Sequence, residues 1–209
     1  MKIIEPSVEL AEDFDAAAVM RKIERAGRVC YKSEENIKPE SAEKFIRGII
    51  KRGHESVIEH AAVSFKIVCD RGVTHDIVRH RIASFSQEST RYCDYSAGKF
   101  GGELTFIKPC FWSEGDENFR LWLATMELVE RNYLALRANG AKPEEARSIL
   151  PNSLKTEIFV TMNLRELRHF LKLRTAPAAH PQMRQIALKM LDILVEKLPA
   201  IFSDIQPLK

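Results

Sequence analysis

A chain of 209 residues is long enough to bury one sizeable core, as one large domain or two small ones. Its 45% hydrophobic and 29% charged content is that of a globular protein, and a formal net charge of +3 is too small to indicate a nucleic-acid binder by itself. Cys30, Cys69, Cys93 and Cys110 have no CxxC spacing, and neither a signal-peptide h-region nor a bilayer-length apolar run is present. A cytoplasmic protein with free thiols and no membrane segment is expected.

Residues 1–6 read as a short strand. Residues 12–27 carry Phe14, Ala17, Val19, Met20, Ile23 and Ala26 at helical spacing, and Gly27 is expected to stop that helix. Pro39 suits a first helical position, and Phe45, Ile46, Ile49 and Ile50 give the next apolar face up to Gly53. AAVSFKIVC at 61–69 alternates and predicts a strand; Asp70-Arg71-Gly72 predicts a turn, and Val73 to about His80 a short helix. Residues 87–93 are expected to be extended, Gly98, Gly101 and Gly102 to mark a loop, and Leu104–Ile107 to form a short strand.

Ser113-x-x-Asp116 resembles a capping box, from which a long helix runs to Gly140. Pro143-Glu144-Glu145 opens a short helix that ends by Pro151, and LKTEIFVT at 154–161 predicts a strand. Asn163-x-x-Glu166 is a second capping box and starts a helix to about Arg174. Pro177 and Pro181 break the chain before a last helix over roughly 182–198. Helices and strands do not alternate regularly, and no linker or repeat divides the chain, so the class is α+β with one domain over 1–209.

The densest chemistry lies in RHRIASFSQESTR, residues 79–91, with three arginines, one histidine and three serines in thirteen positions. On a helix Arg79 and Arg81 would point about 200° apart, so either the helix ends there or the two serve different groups. Cations closing a helix are the plain alternative. In an extended segment Gln87, Ser89 and Arg91 share one face, which suits a phosphate and a polar ring, or an exposed strand edge. Leu164, Leu167, Leu171 and Arg174 form one helical stripe, which places a guanidinium at the end of an apolar face, partly desolvated or snorkelling to water. Arg165, His169 and Lys172 form a separate polar stripe. HESVIEH at 54–60 is not HExxH, no His/Cys/carboxylate set has metal spacing, and neither GxGxxG nor GxxxxGK[ST] occurs, so no metal site is expected.

RHRIASFSQESTRY resembles the signature of flavin-dependent thymidylate synthases, an RHR followed by a serine and then an arginine, here Arg79-His80-Arg81, Ser89 and Arg91. RGHESVIEH at 52–60, ARSILP at 146–151 and NLRELRHFLKLR at 163–174 resemble further family segments in the right order. The resemblance implies a mixed α/β fold around a curved, mostly antiparallel sheet and a homotetramer with active sites between subunits. It implies conversion of dUMP to dTMP with methylenetetrahydrofolate as carbon donor, FAD as redox carrier and NADPH as reductant, without an enzyme nucleophile. Residue by residue, it puts His54, Ser56, Arg79, His80, Arg81, Asn163, Arg165 and His169 by FAD. It puts Arg79, Gln87, Glu88, Ser89 and Arg91 on dUMP, with Arg147 reaching the nucleotide from another subunit, and Arg174 on the uracil, favouring its ionised N3 form. Asp76 stands where many members have Gln; a carboxylate there suits a ribose hydroxyl and would repel phosphate. Many members also have Asn at the place of His169. Two other readings stay open: a nucleic-acid-binding module using the 79–91 arginines, disfavoured by the surrounding Glu55, Glu59, Asp70, Asp76 and Glu88, and a flavoprotein of the same fold acting on another nucleotide.

Overall fold

The structure, a computed structural model, describes residues 1–207, so positions 208 and 209 of the expected domain lie outside it. In chain order the strands are β1 (Lys2–Ile4), β2 (Ser7–Leu10), β3 (Ala62–Asp70), β4 (Ala83–Gln87), β5 (Thr105–Ile107) and β6 (Lys155–Asn163). The helices are α1 (Ala16–Tyr31), α2 (Ser41–Lys51), α3 (Arg71–Ile77), α4 (Glu117–Ala138), α5 (Pro143–Ala146), α6 (Leu164–Arg174), α7 (Pro181–Lys197) and α8 (Pro199–Phe202). A four-stranded sheet has the order β2-β3-β6-β4, and β1 pairs with β5 in parallel, Ile3 opposite Phe106. Arg71 N donates to Leu154 O and Leu164 N to Ala61 O, so β3 and β6 run antiparallel. The mixed α+β class and antiparallel sheet expected from the sequence are those observed.

The chain forms two compact units, one of residues 1–7, 67–79 and 86–158, the other of 8–66, 80–85 and 159–207 as described. In the first, Tyr95, Leu104, Phe106, Met126, Tyr133, Ala146 and Leu154 make a buried cluster. The amphipathic α4 supplies Met126 and Tyr133, seven residues apart and so on one face. In the second unit α6 packs on α7 and on the 3₁₀ segment Glu55–His60, while α1 packs on α2. Ile23, Ile46, Ile58, Leu167, Phe170, Ile186 and Leu194 are its fully buried centre.

Several boundaries differ from the sequence expectation. Gly27 does not end α1, which continues to Tyr31 and closes at Lys32 with φ 47°. A Cβ at position 27 would stand 2.6 Å from the Phe45 ring, so the glycine lets α2 approach closely. Pro39 precedes α2, which starts at Ser41. Asp70-Arg71-Gly72 is not a free turn: Asp70 ends β3 and caps α3, its Oδ1 accepting from Val73 N at 2.8 Å. α3 stops at Ile77, three residues short of His80, so Arg79-His80-Arg81 lies past the helix. The extended segment is Ala83–Gln87 and not 87–93; the Tyr92 and Cys93 amides fold back on Ser89 O. Asn163 does cap α6, its Oδ1 accepting from Glu166 N at 2.8 Å. Among the described residues no helix is long and apolar enough to cross a membrane.

Candidate active site

The second unit holds a cavity of about 470 Å³ lined by Glu55, Glu59, Ile82, Asn163, Arg165, Glu166, His169 and Lys172. The position of Asn163 at the α6 N-cap and the helical spacing of Arg165, His169 and Lys172 bring one amide and three basic side chains to one wall. Each carboxylate of the lining already has a partner. Arg165 Nη1 binds Glu59 Oε1 at 2.5 Å, with both side chains about half exposed. Glu55 takes Arg168 Nε at 3.1 Å and lies 3.7 Å from Lys172 Nζ. His54 and Ser56 are exposed at the start of the adjacent 3₁₀ segment, and His54 Nδ1 shares a 2.6 Å hydrogen bond with Tyr31 OH. Arg81 is exposed.

His80 is different in kind. It is 5% exposed, and both ring nitrogens are engaged within the unit. Nδ1 lies 3.0 Å from Glu166 Oε1, and Nε2 accepts from Arg174 Nε at 3.1 Å. Phe170 meets its ring edge-on at 4.8 Å, and His169 lies at 5.5 Å. His80, Glu166 and His169 also present ligand atoms within 4.8 Å of one another, the one group of metal-ligand spacing among the described residues. A metal ion bound through either His80 nitrogen would have to break one of those hydrogen bonds.

Burial is the main reason that the His80 pKa lies below its ordinary 6.5; the Arg174 guanidinium and His169 push the same way, and Glu166 opposes them. Above pH 6.5 the ring is neutral in folded and unfolded chain alike, and it adds no pH dependence. Below that value the unfolded chain takes up the proton first, so stability falls as pH falls, by at most about 1.4 kcal/mol per unit. Urea unfolding at about pH 7 and about pH 5.5 is expected to give a lower midpoint at the acid value, with a smaller drop in His80→Gln.

In the first unit the expected nucleotide residues do not share one extended face. Gln87 ends β4, and its Nε2 donates to Thr74 Oγ1 at 3.1 Å and Thr156 Oγ1 at 3.2 Å. Ser89 and Arg91 stand in the turn beyond, where Ser89 Oγ accepts the Arg91 amide at 3.3 Å and the Arg91 guanidinium lies 5.5 Å from the Tyr92 ring centroid. Glu88 is fully engaged: Tyr95 OH donates to it at 2.7 Å and Lys155 Nζ binds it at 2.9 Å. Asp76 is half-buried on α3, Arg79 is exposed just after that helix, and Arg147 is exposed on the 3₁₀ turn Arg147–Ile149.

Three polar residues escaped the sequence reading. Lys155 partners Glu88, and its alternation with Glu157 on one face of β6 was the available signal. Glu166 was read only as a capping-box member, yet its side chain is buried against His80. Arg168, 1% exposed, lies four residues from Leu164 on the apolar side of α6, a spacing that hides a cation among leucines.

Residues 15–200 match the family described as thymidylate synthase complementing protein. The chain is 39% identical over 177 residues to the flavin-dependent thymidylate synthase of Pyrococcus furiosus, covering 84% of this chain and 70% of that relative. It is 36% identical over 189 residues to the one from Geobacter sulfurreducens, covering 87% and 80%. Among solved structures it resembles the UMP/dUMP methylase PolB from Streptomyces cacaoi bound with 5-Br dUMP, with TM-score 0.77, 25% identity, and 97% and 96% coverage.

Proposed function

Because the chain belongs to the flavin-dependent thymidylate synthase family, we propose that it reductively methylates dUMP to dTMP, with methylenetetrahydrofolate as one-carbon donor, FAD as redox carrier and NADPH as reductant. The observation that carries this reading is Arg174, half-buried at the end of the α6 leucine stripe with its Nε fixed on a buried histidine. A cation held there is suited to charge that develops on a base in a low-dielectric site. It would favour the ionised N3 form of the uracil and so raise electron density at C5.

The residues lining the second unit's cavity fit a flavin. Asn163, Arg165 and His169 offer donors to its phosphates and ring, with His54, Ser56 and Arg81 nearby in sequence order of the family segments. Bound there, the flavin would supply hydride and mediate transfer of the one-carbon unit. Arg165 would exchange Glu59 for a phosphate oxygen, and an exposed ion pair of this kind costs only about 0–1 kcal/mol to open. Glu59→Gln is therefore expected to tighten FAD binding, by up to about fivefold, in a titration followed by flavin fluorescence.

Gln87, Ser89 and Arg91 would hold dUMP chiefly by its phosphate, with Arg79 close to both ligands and Asp76 on a ribose hydroxyl. Glu88 would act by holding Lys155 and Tyr95 around that turn. The reading includes a cytoplasmic homotetramer in which Arg147 serves a neighbouring subunit's nucleotide, with residues 1–209 working as one domain. A related substrate is the second reading, since the resembling PolB is a methylase of both UMP and dUMP. Purified protein should carry flavin absorbance near one equivalent per chain and release tritium from C5-labelled dUMP only with NADPH and methylenetetrahydrofolate. Colourless protein that FAD does not reconstitute overturns the reading; equal tritium release from C5-labelled UMP selects the second.

A further inference from the structure

Glu166 and Arg174 sit eight residues apart on α6, and His80 bridges them. An arginine Nε always carries hydrogen, so the His80 Nε2 that faces it at 3.1 Å must be the lone-pair nitrogen. The ring proton is then on Nδ1, where Glu166 Oε1 accepts it at 3.0 Å. The two contacts fix one tautomer from both ends. Glu166 is 8% exposed and His80 5%, so both groups are largely shielded from bulk water. The Phe170 and His169 rings hold the plane of the imidazole.

We propose that Glu166 is a positioning residue for Arg174, acting through the Nδ1–H tautomer of His80. This rests on the reading of Arg174 as the residue that polarises the uracil. A helix alone leaves a long side chain such as Arg174 several rotamers. The hydrogen bond from Nε to a buried, singly oriented acceptor fixes the guanidinium plane and so directs its four Nη hydrogens. Lysine has no donor on its stem to repeat this. A His80 ring turned to the other tautomer would present Nε2–H to Nε–H, two donors face to face, and would push the guanidinium away.

Spectra and variants of the flavin-loaded protein test this. In protein labelled with nitrogen-15 histidine, the His80 resonances, assigned by their displacement in Arg174→Ala, should report a neutral ring protonated at Nδ1. A ring protonated at Nε2 in the wild type overturns the proposal whatever the variants do. Glu166→Leu should stay folded, give a mixed or Nε2–H ring, and at saturating FAD and dUMP lose kcat by roughly 100-fold, the cost of a small misplacement of a catalytic group. Glu166→Gln, whose Oε1 still accepts from Nδ1–H, should recover most of that loss. Folded Glu166→Leu with kcat within about threefold of wild type overturns the proposal, as does equal loss in Glu166→Leu and Glu166→Gln. Arg174→Ala run alongside separates the two failures: if it retains kcat, the reading of Arg174 is wrong while the His80 tautomer is still decided by the spectra.

Discussion

Arg174→Ala is expected to lower kcat for dTMP formation by about 10²–10³-fold while the protein stays folded and yellow. The expectation comes from where the side chain sits. Leu164, Leu167 and Leu171 are fully buried, and Arg174 continues their stripe to the helix end, half-buried, with Nε on His80. If Arg174 stabilises charge on the uracil as proposed, its removal is worth about 3–4 kcal/mol by analogy with a lost oxyanion donor. It takes nothing from the leucine core but leaves the buried His80 Nε2 without its donor, so stability should fall by about 1–2 kcal/mol, not enough to unfold the protein. The loss should appear in kcat more than in KM for dUMP, because the interaction strengthens as N3 ionises. Cys93→Ala is the matched control. Cys93 packs, half-buried, against the apolar cluster of the first unit, and its amide closes a turn on Ser89. The thiol of Cys69, the buried cysteine, is pushed far above the usual range by burial and is no thiolate. Cys93→Ala should therefore keep most activity. A dead Cys93→Ala that still binds FAD and dUMP would establish a covalent route in place of the one proposed.

How far the sequence discloses this site varies with the kind of signal. The Asn163 cap, the α6 stripe and the end of α4 near Gly140 are local, set by side chains reaching backbone within a turn, and they are legible. Gly27 was misread because its reason is not local: the Phe45 ring that forbids a Cβ there belongs to another helix. The same holds for 87–93. Its composition allows an extended face, but the chain leaves β4 at Gln87 and turns back on Ser89, so Gln87 ends the strand while Ser89 and Arg91 stand in the turn beyond it. The Glu166–His80–Arg174 chain spans 86 residues in sequence between its first two members, and no spacing rule announces it. RHR looked like divergent cations at a helix end; the helix ends earlier, and the histidine between them is the buried member.

Arg168→Met is expected to cost about 3 kcal/mol of stability and to weaken flavin binding as well. Arg168 is the largest fully buried side chain in the protein's described residues. Its Nη1 and Nη2 grip Asp204 at 2.6 and 2.7 Å, Nε reaches Glu55 at 3.1 Å, and Nη1 also donates to Ile201 O. One guanidinium thus ties α6 to the end of α8 and to the 3₁₀ segment at Glu55. A well-packed apolar replacement often offsets the loss of a buried ion pair, but only when all partners go together. Here Glu55, 20% exposed, and the Ile201 carbonyl would remain without their donor, whereas Asp204, 52% exposed, would rehydrate. Glu55 lines the cavity and would keep only Lys172, 3.7 Å away, so its less neutralised carboxylate would weaken binding of flavin phosphates in the proposed site. Arg168→Lys keeps the charge but not the fork, and should fall between the two. Urea unfolding of the apo-protein reads the stability term, and FAD titration of the folded fraction reads the second. The paired variant Arg168→Met with Glu55→Gln should recover flavin affinity more than stability, since it removes the stranded charge but restores no link to α8. Recovery of both in equal measure would mean that the Glu55 contact alone accounts for the role of Arg168.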